Sequence, residues 1–456
     1  MKTTGRRSLI LYILGAAFLF GLGVFLYGFA TQGGMWAVQP FNKYITTGVS
    51  SQGKILDRNG TVLAESKNGK RVYSSDETTR RAMLHAVGDT TGYISTGVQY
   101  NYRAELSGYN GIMGLVTPNG KAGGDDITLT LDSSLCRLAK KELGSRNGAV
   151  AVYNYKTGEM LCMVSTPDFD PENVPSDINT NSKYKGAYLN KVMSAQYTPG
   201  SIFKVVTAAA AIENFSDIDS RTWDCSGSIT VNGNKITDIK AYGRLHFKDA
   251  LAKSSNVAFA EMAMELGAEK MTAEANAMGF NSSFSLDGIN ASKSVYNVDG
   301  AEKNELGWSG VGQYTDLASP YHMLVLMGAV ANGGTPVMPY VIKNITTPYG
   351  TALKSGAAQA GSRLVKAETA ERLQRYMRYN VTNAYGDGLF PGLNVCAKTG
   401  TAEVGGGKKP NCWMVGYSLN TDTPLAFAVV VEEQSYSIRS AGKVASSVMK
   451  AAAKIK

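Results

Sequence analysis

The chain has 456 residues, 44% apolar and 18% charged, enough to bury large cores and too hydrophobic for compositional disorder. Lysine and arginine number 46 against 37 acids, a net charge of +9 that is spread along the chain; it favours anionic surfaces in general and argues against a nucleic-acid partner. Five cysteines (Cys136, Cys162, Cys225, Cys396, Cys412) without a C-x-x-C pair, and three scattered histidines (His85, His246, His322) without H-E-x-x-H, exclude a zinc ribbon, a disulfide miniprotein and a zincin-type metalloenzyme. No metal or other cofactor is expected.

From Ser8 to Ala30 the sequence SLILYILGAAFLFGLGVFLYGFA carries no charge. At ~1.5 Å per residue such a helix is roughly 35 Å long, enough to cross a hydrocarbon layer of ~30 Å with some tilt. Lys2, Arg6 and Arg7 precede it and the next positive charge is Lys43, which predicts a cytoplasmic N-terminus. A cleaved signal peptide is the rival; its apolar region is shorter and ends in an A-x-A-like site, which A-T-Q after Phe29 matches poorly. The expectation is a short tail (1–7), an uncleaved anchor (8–30) and a cell-membrane protein whose remainder is extracytoplasmic. No second segment of this kind occurs, which excludes a polytopic transporter.

Residues 31–132 are rich in Gly, Thr and Tyr, and Ile55–Ala64 places apolar stretches on both sides of Asn59-Gly60, a hairpin signal. Asp126–Asp132 alternates like a strand. A small β-rich pedestal is expected here. A helix is predicted over Ser133–Leu143, and then a hairpin, Gly148–Tyr155 with Glu159–Thr166, around Lys156-Thr157-Gly158. Ser201–Phe215 is apolar nearly all round and predicts a buried helix. Asn256–Leu266 and Glu269–Met278 read as helices broken at Gly267. Val395–Val404, Cys412–Leu419 and Leu425–Glu432 read as strands, and Ile438–Ile455 as an amphipathic helix. Strands at both ends with helices between predict an α+β domain over 133–456, an antiparallel sheet packed with helices.

Three short motifs carry the chemistry: Ser201-x-x-Lys204, Ser254-x-Asn256 and Lys398-Thr399-Gly400. Alone each is weak. S-x-x-K recurs at Ser51, Ser182, Ser440 and Ser447, S-x-N at Ser66, Ser145 and Ser418, and K-T-G at Lys156. Local setting separates the first set from these. Ser201 follows Pro199-Gly200 and opens the apolar helix, and Lys204 lies one turn along on the same face. An ammonium buried there loses solvation, which favours the neutral amine that a base must be. A helix N-terminus also offers free N–H groups to an oxyanion. Ser254 or Ser255 could equally be a helix N-cap. Gly400 interrupts a predicted strand, as where something must approach the backbone closely. Lys156-Thr157-Gly158 has turn composition and precedes the serine.

In that order the three motifs resemble those of penicillin-recognising serine acyltransferases. GKILDRNGTVLA, LTLDSSLCRLAKKEL, GAVAVYNYKTGEMLCMVSTPDFDP, TPGSIFKVVTAAAAIE, SGVGQYTDLASPYHMLVLMGAVANGG and AKTGTAE are similar to segments of class B penicillin-binding proteins, over residues ~53–66 and ~127–432. The resemblance implies a serine β-lactamase/transpeptidase-like fold and a D,D-transpeptidase that cross-links peptidoglycan stem peptides and is inhibited by β-lactams. It implies Ser201 as nucleophile toward D-Ala-D-Ala, Lys204 as general base, Ser254 as proton relay, Asn256 as holder of Lys204 and of the donor amide, and Lys398 as orienter of Ser254. Thr399 and Thr401 would bind the substrate carboxylate, Gly400 completes that substrate-binding strand, and the N–H groups of Ser201 and Thr401 would form the oxyanion hole. A SEDS-family glycan polymerase is the partner implied for the membrane helix and pedestal. Relatives often pair a cysteine near Cys225 with another a dozen residues on; Asp238 stands near that second place, so this disulfide is not expected here.

On the same fold, a D,D-carboxypeptidase or a β-lactamase would use water as acceptor. A catalytically silent cell-wall scaffold is the alternative of another class, against which the intact trio argues. No glycosyltransferase module fits before residue 130.

Overall fold

A computed structural model describes residues 2–37, 52–109 and 123–455. One sheet has five antiparallel strands in the order Val395–Ala402, Asn411–Ser418, Leu425–Val431, Gly148–Asn154, Met160–Thr166. The four inner and far strands are almost wholly buried, and their runs, such as LAFAVVV over Leu425–Val431, are continuously apolar because both faces are covered. Val395–Ala402 is the edge strand and carries the polar residues. Its register puts Lys398 opposite Val415 and Gly400 opposite Trp413, so by the two-residue period these four share one face. Trp413 Nε1 on that face donates to Thr198 O at 3.1 Å.

The helix Pro320–Ala331 packs on the same face, against three of the strands. The helices Ser133–Leu143 and Lys443–Ala452 pack together on the other, where Met414 meets Gly442. Beyond the edge strand lie the helices Lys204–Asn214, Asn256–Ala277, Lys303–Gly310 and Ala367–Asn380.

Several local expectations are met. Ser133–Leu143 is a helix with those bounds, begun by Asp132, whose Oδ1 accepts from Leu135 N at 2.9 Å, and ended at Gly144 with φ +63°. Gly267 breaks Asn256–Ala277 with φ 79° and ψ 165°. The Asn59-Gly60 turn joins Ile55–Leu56 to Val62–Lys67 in antiparallel pairing.

Others need correction. The helix expected from Ser201 begins as a 3₁₀ turn, Gly200–Ile202, and becomes α only at Lys204–Asn214. The helix expected from Ile438 opens as a π turn, Ile438–Gly442. The N-terminal region, partly outside the described residues, contains the helices Glu77–Val87, Val98–Asn101 and Arg103–Leu106 besides strands. Its sheet has six strands in the order Ala352–Ser355, Ile342–Thr346, Asp126–Leu129, Ile55–Leu56, Val62–Lys67, Lys70–Tyr73. Two of them come from the far side of the chain, because the apolar positions of Ile342–Thr346 find cover against Asp126–Leu129.

Candidate active site

The serine motif is held by a backbone sandwich. Gly200 N donates to Gly312 O at 2.8 Å on one side. On the other, the edge strand runs so close that a Cβ on Gly400 would stand 2.7 Å from Pro199 O and 3.1 Å from Ile202 N. This is the close approach expected from a glycine inside that strand. Ser201, half-buried, therefore projects from a tight 3₁₀ turn wedged against the sheet edge and continuous with the buried helix Lys204–Asn214.

One turn later, Lys204 is fully buried. Its Nζ donates to Ser254 O at 2.7 Å and to Asn256 Oδ1 at 2.7 Å, and lies 3.2 Å from Ser254 Oγ. Lys398, also fully buried, reaches the same hydroxyl from the edge strand, Nζ to Ser254 Oγ at 2.9 Å, and donates to Thr399 O at 3.0 Å. Burial, then the neighbouring Lys398 charge, pushes the Lys204 amine well below the ordinary lysine range, with Asp238 opposing. Burial alone brings Lys398 down to about 7.

Ser254 follows the helix Phe247–Lys253 in the left-handed region, φ 56° and ψ 40°, sparsely populated for a residue with a side chain. Ser255 takes the capping duty, its Oγ accepting from Ala258 N at 3.1 Å. The capping and chemical readings of this motif thus fall on different serines, and Ser254 Oγ is left between the two amines.

The structure brings Ser201, Lys204, Ser254, Asn256 and Lys398 to one place, with Thr399, Gly400 and Thr401 along the strand beside them. Lys156-Thr157-Gly158 is a hairpin turn, as expected, with Gly158 at φ +81°. Several contributing residues carried no recognised signal. Tyr385 Oη accepts from Thr399 N at 3.1 Å and from Thr399 Oγ1 at 3.3 Å. Ser437 Oγ donates to Gly400 O at 2.5 Å and accepts from Thr401 Oγ1 at 2.7 Å. Both belong to segments packed on the strand from elsewhere in the chain. Gly312 lies within the SGVGQ stretch, where its pairing with Gly200 was not foreseen. All five cysteines are free and buried, Cys225 included; Asp238 instead bonds the Ser255-Asn256 turn.

Residues 148–452 match the penicillin binding protein transpeptidase domain, about two-thirds of the chain. Among curated relatives, peptidoglycan D,D-transpeptidase PbpA of Mycolicibacterium smegmatis is 26% identical over 375 residues, covering 75% of each chain. Stage V sporulation protein D of Bacillus subtilis is 26% identical over 444 residues, covering 90% of this chain and 67% of its own. PbpA of Mycobacterium tuberculosis is 25% identical, and the match spans 62% of its length. The fold matches penicillin-binding protein A of M. tuberculosis, solved as a ceftriaxone acyl-enzyme, with TM-score 0.79 at 21% identity over 90% of this chain and 99% of that one. It also matches the D,D-transpeptidase domain of a peptidoglycan glycosyltransferase from Eggerthella lenta, TM-score 0.77 at 26% identity over 89% and 98%. With a serine turn, two desolvated amines and this family match over two-thirds of its length, the chain belongs to the penicillin-binding protein transpeptidase family.

Proposed function

We propose that this transpeptidase cross-links peptidoglycan through an acyl-enzyme on Ser201. In the first step the Ser201 Oγ–H proton passes to the neutral Lys204 amine as Oγ attacks the penultimate D-alanine carbonyl. The C–N bond to the terminal D-alanine breaks, and its amine leaves with a proton delivered through Ser254. An amine of a neighbouring stem peptide then attacks the ester and restores the serine. Asn256 holds Lys204 and the donor amide, Lys398 orients Ser254, Thr399 and Thr401 receive the substrate carboxylate, and the N–H groups of Ser201 and Thr401 stabilise the oxyanion. General-base transfer contributes ~10²–10⁴-fold, and each oxyanion donor ~10²–10³-fold.

The observation that carries this reading is the pair of buried amines on Ser254 Oγ. Desolvation pushes Lys204 toward the neutral amine that a base must be, and its Nζ is held by Ser254 O, Asn256 Oδ1 and Ser254 Oγ.

The helix Lys2–Ala37 includes a 24-residue stretch, Ser8–Thr31, of mean hydropathy 2.5, long and apolar enough to cross a membrane. Its leucines and phenylalanines stand outside the protein, Phe20 at 75% exposure, which water would penalise and lipid would not. This supports residues 8–30 as a single-pass anchor; with the positive charges of Lys2, Arg6 and Arg7 before it, we read 1–7 as a cytoplasmic tail and 31–132 and 133–456 as an extracytoplasmic pedestal and transpeptidase domain. A SEDS-family glycan polymerase contacting the anchor and pedestal is part of the same proposal.

Intact mass spectrometry of the detergent-solubilised chain with a penicillin, beside Ser201→Ala, tests the reading. The expected result is a long-lived adduct equal to the drug's mass, absent in the variant, and stem-peptide dimers from natural substrate. Rapid release of hydrolysed drug would indicate a β-lactamase, shortened stems without dimers a carboxypeptidase, and no adduct on folded protein a silent scaffold.

A further inference from the structure

The amide of Asn256 presents its oxygen, not its nitrogen, to Lys204, and this contact at 2.7 Å is one of the two short ones that fix the amine. Two groups from one external segment enforce this. Thr237 O accepts from Asn256 Nδ2 at 2.8 Å, and since a carbonyl only accepts, the amide cannot be reversed. The next residue, Asp238, binds the turn itself. Its Oδ1 accepts from Asn256 N and, at 3.2 Å, from Val257 N, and its Oδ2 accepts from Ser255 Oγ at 2.8 Å.

These are first-turn donors of the helix Asn256–Ala277, which no residue of the helix can satisfy. Ser255 caps Ala258 N, so Asp238 takes the earlier donors from outside, and its negative charge sits at the positive end of the helix. Asp238 follows the strand Asn234–Thr237, which among the described residues pairs only with Ser228–Val231 in a two-stranded ribbon. The carboxylate is therefore the tie between that ribbon and the turn that carries Ser254 and Asn256.

We propose that Asp238, acting with the Thr237 carbonyl, is a positioning residue that holds the Asn256 amide, and through it the Lys204 amine, in place for acyl transfer. It touches neither substrate nor the reacting atoms; it acts through Asn256. The proposal rests on the acyl-enzyme reading above. The charged and titratable groups facing Lys204 are Lys398 from the edge strand, Cys225 from the strand Thr222–Cys225, and Asp238 itself. Lys398 lowers the readiness of Lys204 to hold a proton, whereas Asp238 and Cys225 raise it.

The test compares the full chain with Asp238→Ala and Asp238→Asn. The readouts are the second-order rate of acylation by a fluorescent penicillin across the acid limb of its pH profile, and thermal melting by circular dichroism. A misplacement approaching 1 Å costs about 10²-fold, and a loss of that order is expected for Asp238→Ala. Asp238→Asn keeps an oxygen for the Asn256 and Val257 N–H groups and should recover most of the rate. Because it removes a negative charge near Lys204, its acid limb should move to lower pH. A purely structural role would lower the melting temperature and leave the acylation rate of the folded protein near the parent's. Both variants acylating within about twofold of the parent on the parent's profile would overturn the proposal. So would a folded Asp238→Asn variant that loses about 10²-fold although it keeps an oxygen for those N–H groups, which also decides the matter if Asp238→Ala fails to fold. A parent chain that forms no adduct would instead defeat the acyl-enzyme reading.

Discussion

Gly400→Ala isolates the close approach of the edge strand to the serine turn. Gly400 does not have a positive φ, so alanine fits the backbone, and strand propensity alone would favour it by roughly 0.5–1 kcal/mol. The added Cβ would stand 2.7 Å from Pro199 O, 3.0 Å from Ile202 Cγ2 and 3.1 Å from Ile202 N, where ordinary contact begins at 3.4 Å. Two of these neighbours are backbone, so relief requires the strand and the turn to part by about 0.7 Å, the difference between 3.4 and 2.7 Å. Overpacking of this kind costs ~1–3 kcal/mol, which should outweigh the propensity gain and lower stability by about 1–2 kcal/mol. The separation moves Ser201 relative to Lys398 and Thr401. With ~10²-fold at stake for ~1 Å, acylation by a fluorescent penicillin should fall by at least about tenfold. Denaturant titration and stopped-flow acylation measure the two effects. A variant that acylates at the parent rate and is as stable as the parent would refute the claim that the glycine exists for this contact.

Two further outcomes concern buried groups. Lys398 is protonated in the unfolded chain at neutral to mildly alkaline pH, whereas burial brings its folded value down to about 7. The unfolded state then binds more protons above about pH 7, so stability should rise with pH from there toward the free-lysine range; in Lys398→Met, denaturation at several pH values should show that slope reduced, and an unchanged slope would assign it to other groups. Tyr153 Oη is buried without a hydrogen-bond partner among the described residues, and a Cβ on Gly328 would fall 1.6 Å from it. Tyr153→Phe should therefore stabilise the protein by about 1 kcal/mol at unchanged acylation; Gly328→Ala should be strongly destabilising alone and milder in the double variant, and additivity would count against this contact.

Much of the molecule was legible in the chain because its signals are local. Asp132 and Gly144 bound a helix, Asn59-Gly60 turns a hairpin, Gly267 breaks a helix, and the largely apolar run after Ser201 is buried from Ile202 to Ile212. The trio of motifs was likewise readable, since chain order and setting distinguished Ser201, Ser254 and Lys398 from their repeats. Weaker local signals failed at their margins: the turn of Ser201 is 3₁₀, pinned by Gly312 and Gly400, and a free helix would have had no reason to tighten there.

By itself, then, the amino-acid sequence pointed to the residues proposed for the chemistry, to those helices and strands whose signals are strongest, and to one apolar stretch long enough for a membrane. Only the tertiary structure decided that Ile342–Thr346 and Ala352–Ser355 complete the N-terminal sheet, that Ser254 rather than Ser255 faces the amines, and that Asp238, Tyr385 and Ser437 support the site. The reason is physical. Helix and hairpin preferences are set by neighbours a few residues apart, whereas the hydrogen bonds on Asn256, Thr399 and Thr401 join segments far apart in the chain. Those bonds exist only after packing has excluded water and left each donor one acceptor within reach.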